Sequence, residues 1–356
     1  MRKFELDMIG RKIKISKLLI SGTVFAVIVM LCMGSRRAGD FYALHVYPAV
    51  SSALSLVASP FGFSLQMVLI AVFIAAFILI IVRACQKKQG VHTFLLKEVT
   101  LIVWIFVWAY SGWCLNYSRS PISSRVDTRM EDYDSTAFRS FLSAFTRELN
   151  DSWSPDTDID FDVMENDIKA FYASVPERYG LCSPKEWQHL KRMPLRRFES
   201  AMCILGYIGP FFCEAHINPN IPANEVPYTA AHECSHLLGV SSEAEANWWA
   251  FQCCRLSDRS QMRYSGYLCI LSQVLSNAAG LLSEEDFKEW TATLRQEVKD
   301  DFNANQDFWR SRRIAILDKA QKRIYDIFLK GNNISSGMKN YSESVALLMT
   351  LDYTGN

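Results

Sequence analysis

Three apolar runs near the start of the chain constrain its fold more than any other feature. Leu18–Gly34 is uncharged and rich in Leu, Ile and Val. At 1.5 Å per helical residue it just crosses a bilayer core of about 30 Å. Phe61–Val82 is clearly long enough to span. Val99–Leu115 is shorter but holds Trp104, Trp108, Tyr110 and Trp113, aromatics of the kind that sit at membrane interfaces. A cleaved signal peptide does not fit the first run, which is long for a signal core and leaves through Gly34-Ser35-Arg36-Arg37 without a small-residue cleavage site. Residues 1–115 are therefore expected to form a three-helix transmembrane region, with spans at about 18–34, 61–82 and 99–115 and a loop at Asp40–Pro60 between the first two.

Flanking charge predicts the orientation. Arg2, Lys3, Arg11, Lys12, Lys14 and Lys17 precede the first span, and Arg83, Lys87, Lys88 and Lys97 lie between the second and third. Only Arg36 and Arg37 occupy the first connecting loop. Positive charge stays in the cytoplasm, so the N-terminus is predicted inside and everything after residue 116 outside. The same segment explains a balanced composition, since the first 115 residues carry 12 of the 38 Lys+Arg and only four acids. The remainder is net acidic, which argues against a nucleic-acid partner.

Residues 116–133 are polar and read as a linker. Residues 134–356 then show mostly helical periodicity. Phe138, Phe141, Leu142 and Phe145 mark one amphipathic helix; Phe161, Met164, Ile168, Phe171 and Tyr172 mark a second. Phe198–Ile208 and Pro210–Ile217 are richer in aromatic and β-branched residues and broken by Gly and Pro, as strands are. Helices are expected again over Glu243–Leu256, Tyr264–Ala279, Glu284–Phe302, Asp307–Leu329 and Ser342–Leu351. Seven cysteines fall in this part, an odd number with no C-x-x-C spacing, so no metal cluster or disulfide framework is read from them.

The chemistry concentrates at His232-Glu233-Cys234-Ser235-His236, an H-E-x-x-H pattern. Histidines four apart on a helix stand on one face and reach a single cation; Glu233, about 100° round from His232, can hold a water there without ligating. Pro227 suits the first turn of this helix, and Gly239 suits the left-handed residue that ends it. Hydrolytic zinc sites use three protein ligands, and no histidine follows His236. An acid must supply the third, and Glu243 and Glu245 are available. They diverge by about 200° on a helix, so only one can face the metal.

Several resemblances sharpen this reading. Metzincin proteases continue H-E-x-x-H to a glycine, matched by Gly239, and then to a ligand, but Ser242 stands at that position and departs from the metzincin pattern. Glu243-Ala244-Glu245-Ala246-Asn247 resembles the E-x-x-A-D signature of integral-membrane zinc proteases such as the CAAX prenyl protease. That likeness implies Glu243 as third ligand and Asn247 as the group orienting a ligand histidine. Nearly the whole chain is similar to a bacterial membrane-protein family, a domain of unknown function with N-terminal spans ahead of an H-E-x-x-H domain. The matching residues are Pro210-Phe211-Phe212 with Glu214-Ala215-His216, His232–His236 and Gly239, Glu243–Asn247, Arg263–Tyr267, and Tyr325–Lys330 with Tyr341.

The expected fold is mainly α with a small β-sheet, α+β and zincin-like, after the transmembrane region. The expected function is a membrane-anchored zinc endopeptidase. His232, His236 and Glu243 would hold Zn2+ and Glu233 would act as general base, with Tyr264 or His216 assisting the oxyanion. Its partners would be the lipid bilayer and a peptide or protein substrate. The alternative is a zinc-bearing membrane protein that binds peptides or scaffolds a complex without catalysis. Retention of Glu233 leans against it, because a structural site needs no base.

Overall fold

The computed structural model describes residues 5–8, 11–14, 16–86, 90–126, 135–156, 158–332 and 341–350. It is mainly helical, with a small three-stranded sheet. The chain divides into two compact units, residues 1–119 with 209–213, and residues 120–208 with 214–356.

The first unit opens with an antiparallel pair, β1 (Glu5–Met8) and β2 (Arg11–Lys14). Its helices are α1 (Lys17–Met33), α2 (Arg36–Ala58, with a π-helical stretch at Tyr42–Val46), α3 (Leu65–Cys85) and α4 (Val91–Gly112). By length and hydropathy α2, α3 and α4 could each cross a membrane; α1 is apolar but shorter. The expected loop at Asp40–Pro60 is thus helical. Ser35 caps it by accepting from the Ala38 amide, and Pro48 follows just after the π-helical stretch.

The contacts of α2 give its direction. Arg36 donates to the Arg119 carbonyl, Tyr42 donates to the Ser111 carbonyl at 2.9 Å, and Leu54 packs beside Gly112. A helix running antiparallel down α4 would carry residue 54 about 18 Å away from Ser111. Instead both halves of α2 stay at the C-terminal end of α4. By contrast α1 runs alongside α4 in parallel: Trp104 donates to the Leu18 carbonyl at 3.1 Å, and Ser118 donates to the Met33 carbonyl at 3.3 Å. The strip Gly209–Cys213 also belongs to this unit. The Phe211 amide donates to Gln66 and its carbonyl accepts from Trp108, while its ring meets those of Phe73 and Trp108 edge-on.

Helix α4 begins eight residues before the expected third span, because His92, Thr93 and Lys97 continue the helix although hydropathy does not register them. Of the expected linker, residues 116–126 form a 3-10 turn and the short helix α5 (Ile122–Arg125); the rest lies outside the described residues.

The second unit contains α6 (Ser135–Ser152), α7 (Phe161–Ser174), β3 (Lys191–Arg192), α8 (Arg196–Ala201), β4 (Gly206–Gly209) and β5 (Glu214–Ile217). There follow α9 (Val226–Leu237), α10 (Glu243–Arg255), α11 (Ser260–Leu281), α12 (Glu284–Ala292), α13 (Gln296–Arg312), α14 (Ala315–Gly331) and α15 (Tyr341–Thr350). The sheet order is β3-β5-β4, with β3 and β5 parallel and Lys191 opposite His216.

Helix α10 is central. Trp248 and Trp249 are wholly buried, Trp249 meeting the edges of Tyr172 on α7 and of Tyr179. Truncating such a residue to alanine typically costs about 3–5 kcal/mol. Tyr172 in turn donates to the Ala231 carbonyl at 2.8 Å, fastening α7 to the motif helix α9.

Four sequence expectations differ here. The expected strand Pro210–Ile217 is strand only from Glu214. The expected strand Phe198–Ile208 starts as helix α8 and becomes strand only at Gly206. The expected helix Glu284–Phe302 is broken at residues 293–295 and the next at 313–314. The first break is tertiary: Asn150 on α6 donates to the Thr293 carbonyl and accepts from the Arg295 amide, both at 2.9 Å, replacing helical bonds. At the second, the Ile314 amide donates to the Ala201 carbonyl of α8.

Candidate metal centre

Helix α9 presents its two histidines on one face, as their four-residue spacing requires. It ends in a Schellman arrangement: Gly239 has a φ of 94°, the Val240 amide donates to the Ser235 carbonyl, and the Gly239 amide donates to the His236 carbonyl. A side chain at 239 would be strained in that left-handed turn. Ser242 then caps α10 by accepting from the Glu245 amide at 3.3 Å, so Glu243 is the first residue of the new helix. The turn folds Glu243 back over the histidines.

One ligand atom each from His232, His236 and Glu243 lies within 4.8 Å of the others. The closest separations are 3.1 Å between the two Nε2 atoms, 3.3 Å from His232 Nε2 to Glu243 Oε2, and 3.7 Å from His236 Nε2 to Glu243 Oε1. Ligands 2.0–2.1 Å from a tetrahedral zinc are about 3.3 Å from one another, so the donor set fits such an ion. The His236 Nδ1 lies 2.7 Å from the Val240 carbonyl. A proton on Nδ1 donates there and leaves the Nε2 lone pair facing the cluster. Glu243 is 36 % exposed against 7 % for His236, so the cluster is open on the glutamate side.

The carboxylates and imidazoles of the cluster shift one another. Burial alone would raise the Glu243 carboxyl, yet hydrogen bonding to His232 and the nearby charge of His236 hold it well below the usual carboxylate range. Burial depresses both imidazoles; at His232 the Glu243 and Glu233 carboxylates outweigh it and favour the protonated ring, while at His236 burial wins. Glu233 beside them is buried, and that burial pushes its carboxyl up to about 8, with His232 opposing and Glu243 adding to the rise. Its Oε2 has no hydrogen-bond partner among the described residues. Gly206 of β4 lies against this carboxylate so closely that a Cβ there would stand 2.4 Å from Glu233 Oε1.

The two acids of α10 are separated as their spacing demands. Glu245 points away into the core, where its carboxylate meets Arg125 at 2.5 Å and accepts from Trp249 Nε1 at 3.2 Å. Glu243 is the one that joins the histidines. Asn247, one turn on, accepts from the Tyr228 hydroxyl at 3.0 Å, and its side chain also favours the charged form of His232.

The two residues expected to assist the oxyanion have other partners. Tyr264 donates to Asp301 at 2.6 Å, which together with burial raises its hydroxyl's pKa. His216 lies wholly buried in β5, stacked on Tyr207 at 4.4 Å, with burial pushing its imidazole down to about 4. The hydroxyl that does reach the cluster belongs to Tyr325 on α14, which donates to Glu243 Oε1. It is 82 residues from Glu243, and no local pattern could have joined the two.

No curated protein and no solved structure matches the chain. A family model described as protein of unknown function matches residues 42–349, the greater part of the sequence, and the chain therefore belongs to the DUF3810 family.

Proposed function

We propose that this chain is a membrane-anchored, zinc-dependent endopeptidase with a zincin-like catalytic unit outside the cytoplasm. The observation that carries the reading is the near-tetrahedral spacing of His232, His236 and Glu243 with an uncommitted carboxylate oxygen of Glu233 beside them. Zinc bound there would supply Lewis acidity and a water ionisable near neutral pH. Glu233 takes the proton from the attacking water and hands it to the leaving amine. Tyr325 holds Glu243 in ligating position and would offer a hydroxyl to a developing oxyanion. Strand β4 is an edge of the sheet and passes Gly206 against Glu233, so an extended peptide pairing with that edge would cross the base.

For the compartment we take α1, α3 and α4 as the crossing helices, an odd number; the contacts that keep α2 by the C-terminal end of α4 support leaving α2 out of the count. The ten flanking Lys and Arg against two then support an outside location for the second unit. The experiment compares wild type and Glu233→Gln in a peptide-library digest with metal analysis of both. Glu233→Gln should keep its zinc and lose turnover by several orders of magnitude. Equal turnover would end the catalytic reading, and an absence of zinc from wild type would end the metal reading.

A further inference from the structure

The strand that passes Glu233 also leads to a second, charged feature. Strands β4 and β5 are neighbours, and the Asn218 amide donates to the Leu205 carbonyl at 2.7 Å, so the end of β5 lies beside the start of β4. The Asn218 side chain donates to the Ile204 carbonyl at 2.9 Å and to Ser200 Oγ at 3.0 Å. Ser200 belongs to the lining of a cavity of about 390 Å³, together with Arg196, Arg197, Pro219, Asn220 and Arg312. Ile204 stands two residues before Gly206, the glycine pressed against the Glu233 carboxylate. Two residues reach at most about 7 Å, and the two hydrogen bonds carry the path on to Ser200. The cavity therefore begins within about 16 Å of Gly206, the span of roughly five extended residues.

Its chemistry is one-sided. Three exposed arginines line it and no acidic side chain does. None of the three is ion-paired among the described residues, although the neighbouring Arg313 is held by Asp318 at 2.6 Å. The floor is already ordered: Ser200 Oγ donates to the Arg196 carbonyl at 2.6 Å and accepts from Asn220 at 3.1 Å. Arg312 is fixed over the Phe308 ring, 3.5 Å from its centroid, and donates to the Phe308 carbonyl. Guanidinium groups present forked N–H donors that match a carboxylate. A peptide laid along the free edge of β4 and crossing Glu233 would pass close to these donors, and the anion a peptide carries is a carboxylate, on an acidic side chain or at its C-terminus.

We infer that this cavity is a specificity subsite that takes a carboxylate of the peptide substrate, within about five residues of the scissile bond, on Arg196, Arg197 and Arg312. The inference rests on the reading of Glu233 as the base and of β4 as the edge that receives the peptide. Hydrogen bonds to a charged group change an equilibrium by about tenfold or more, so substrates with and without the carboxylate should differ by at least that factor.

The test uses the zinc-loaded full chain in uncharged detergent and capped neutral peptides of about ten residues, long enough to reach from Glu233 to the cavity. Each carries one Asp at a stepped position and is matched by its Asn counterpart; a further pair differs only in a free or amidated C-terminus. Titration calorimetry on Glu233→Gln reads binding, and product masses from wild type read cleavage. At the register that meets the cavity, the carboxylate should tighten binding about tenfold or more, and cuts should fall within about five residues of it. The terminal pair tells a side-chain carboxylate from a terminal one. Combined Arg196→Glu, Arg197→Glu and Arg312→Glu substitutions should turn the preference from Asp to Lys, a gain that a damaged fold does not produce. Equal binding of Asp and Asn at every position and of both termini, or a carboxylate preference that survives the charge reversal, would overturn the subsite whatever wild type cleaves. Carboxylate-selective binding that the reversal inverts, with no cleavage by wild type, would keep the subsite and overturn the peptidase reading instead.

Discussion

Replacing Glu243 and Glu245 one at a time separates ligation from folding, because the structure gives these neighbouring acids opposite work. Glu245→Ala strands Arg125, whose side chain is 10 % exposed and whose partner carboxylate lies 2.5 Å away. Removing one member of a buried pair costs about 3–5 kcal/mol. At about 2–4 °C per kcal/mol for a unit of this size, melting should fall by roughly 6–20 °C. Glu243→Ala removes a side chain that is 36 % exposed, and its metal-free melting should move by only a few degrees. The response to zinc separates them the other way. At a hundred times its dissociation constant, zinc stabilises a single-site protein by about 2.7 kcal/mol, roughly 5–11 °C here. Wild type and Glu245→Ala should both show that rise, and Glu243→Ala should not. Scanning calorimetry of the detergent-solubilised chain, with chelator and with zinc, reads each of these shifts. A zinc response kept by Glu243→Ala and lost by Glu245→Ala would refute the ligand assignment and the geometry behind it.

Gly206→Ala should keep the metal yet lower turnover about a hundredfold, since relieving a 2.4 Å contact shifts Glu233 by about 1 Å; metal content and rate measured on one sample check it, and an unaltered rate would show that Glu233 is not held there. Glu225 accepts from Trp309 Nε1 at 2.9 Å, and burial raises its carboxyl to about 7. Its folded pKa lies above the ordinary 4.5, so the unfolded chain ionises first and stability falls as pH rises from about 4.5 to 7. Glu225→Gln should flatten that decline and melt higher than wild type at pH 8, by about 1–2 kcal/mol after allowing for partial exposure; parallel pH profiles of the two proteins decide it. A reporter fused after Asn356 should be active only outside the cytoplasm, and one near Lys88 only inside; cytoplasmic activity of the first would reverse the compartment.

Local sequence determined a good deal of this. The four-residue spacing of His232 and His236 needs only a helix to bring the rings together, and Pro227, Gly239 and Ser242 mark that helix and the next by backbone preferences that act within one turn. Period and hydropathy likewise mark α3, α6, α7 and α10, because a buried face repeats every few residues whatever it packs against. Other features depend on contacts between distant residues. Arg125, far earlier in the chain, claims Glu245 and leaves Glu243 to the histidines. Tyr325 and Gly206 reach Glu243 and Glu233 from separate elements. Asn150 cuts a continuous helical pattern at residues 293–295 by taking over its hydrogen bonds. Helix α2 is helical where composition suggested a loop, its polar and small residues buried against the end of α4. Periodicity records which side of a segment is buried; which partner buries it, and which of two neighbouring acids finds an arginine, is decided only when the chain has closed on itself.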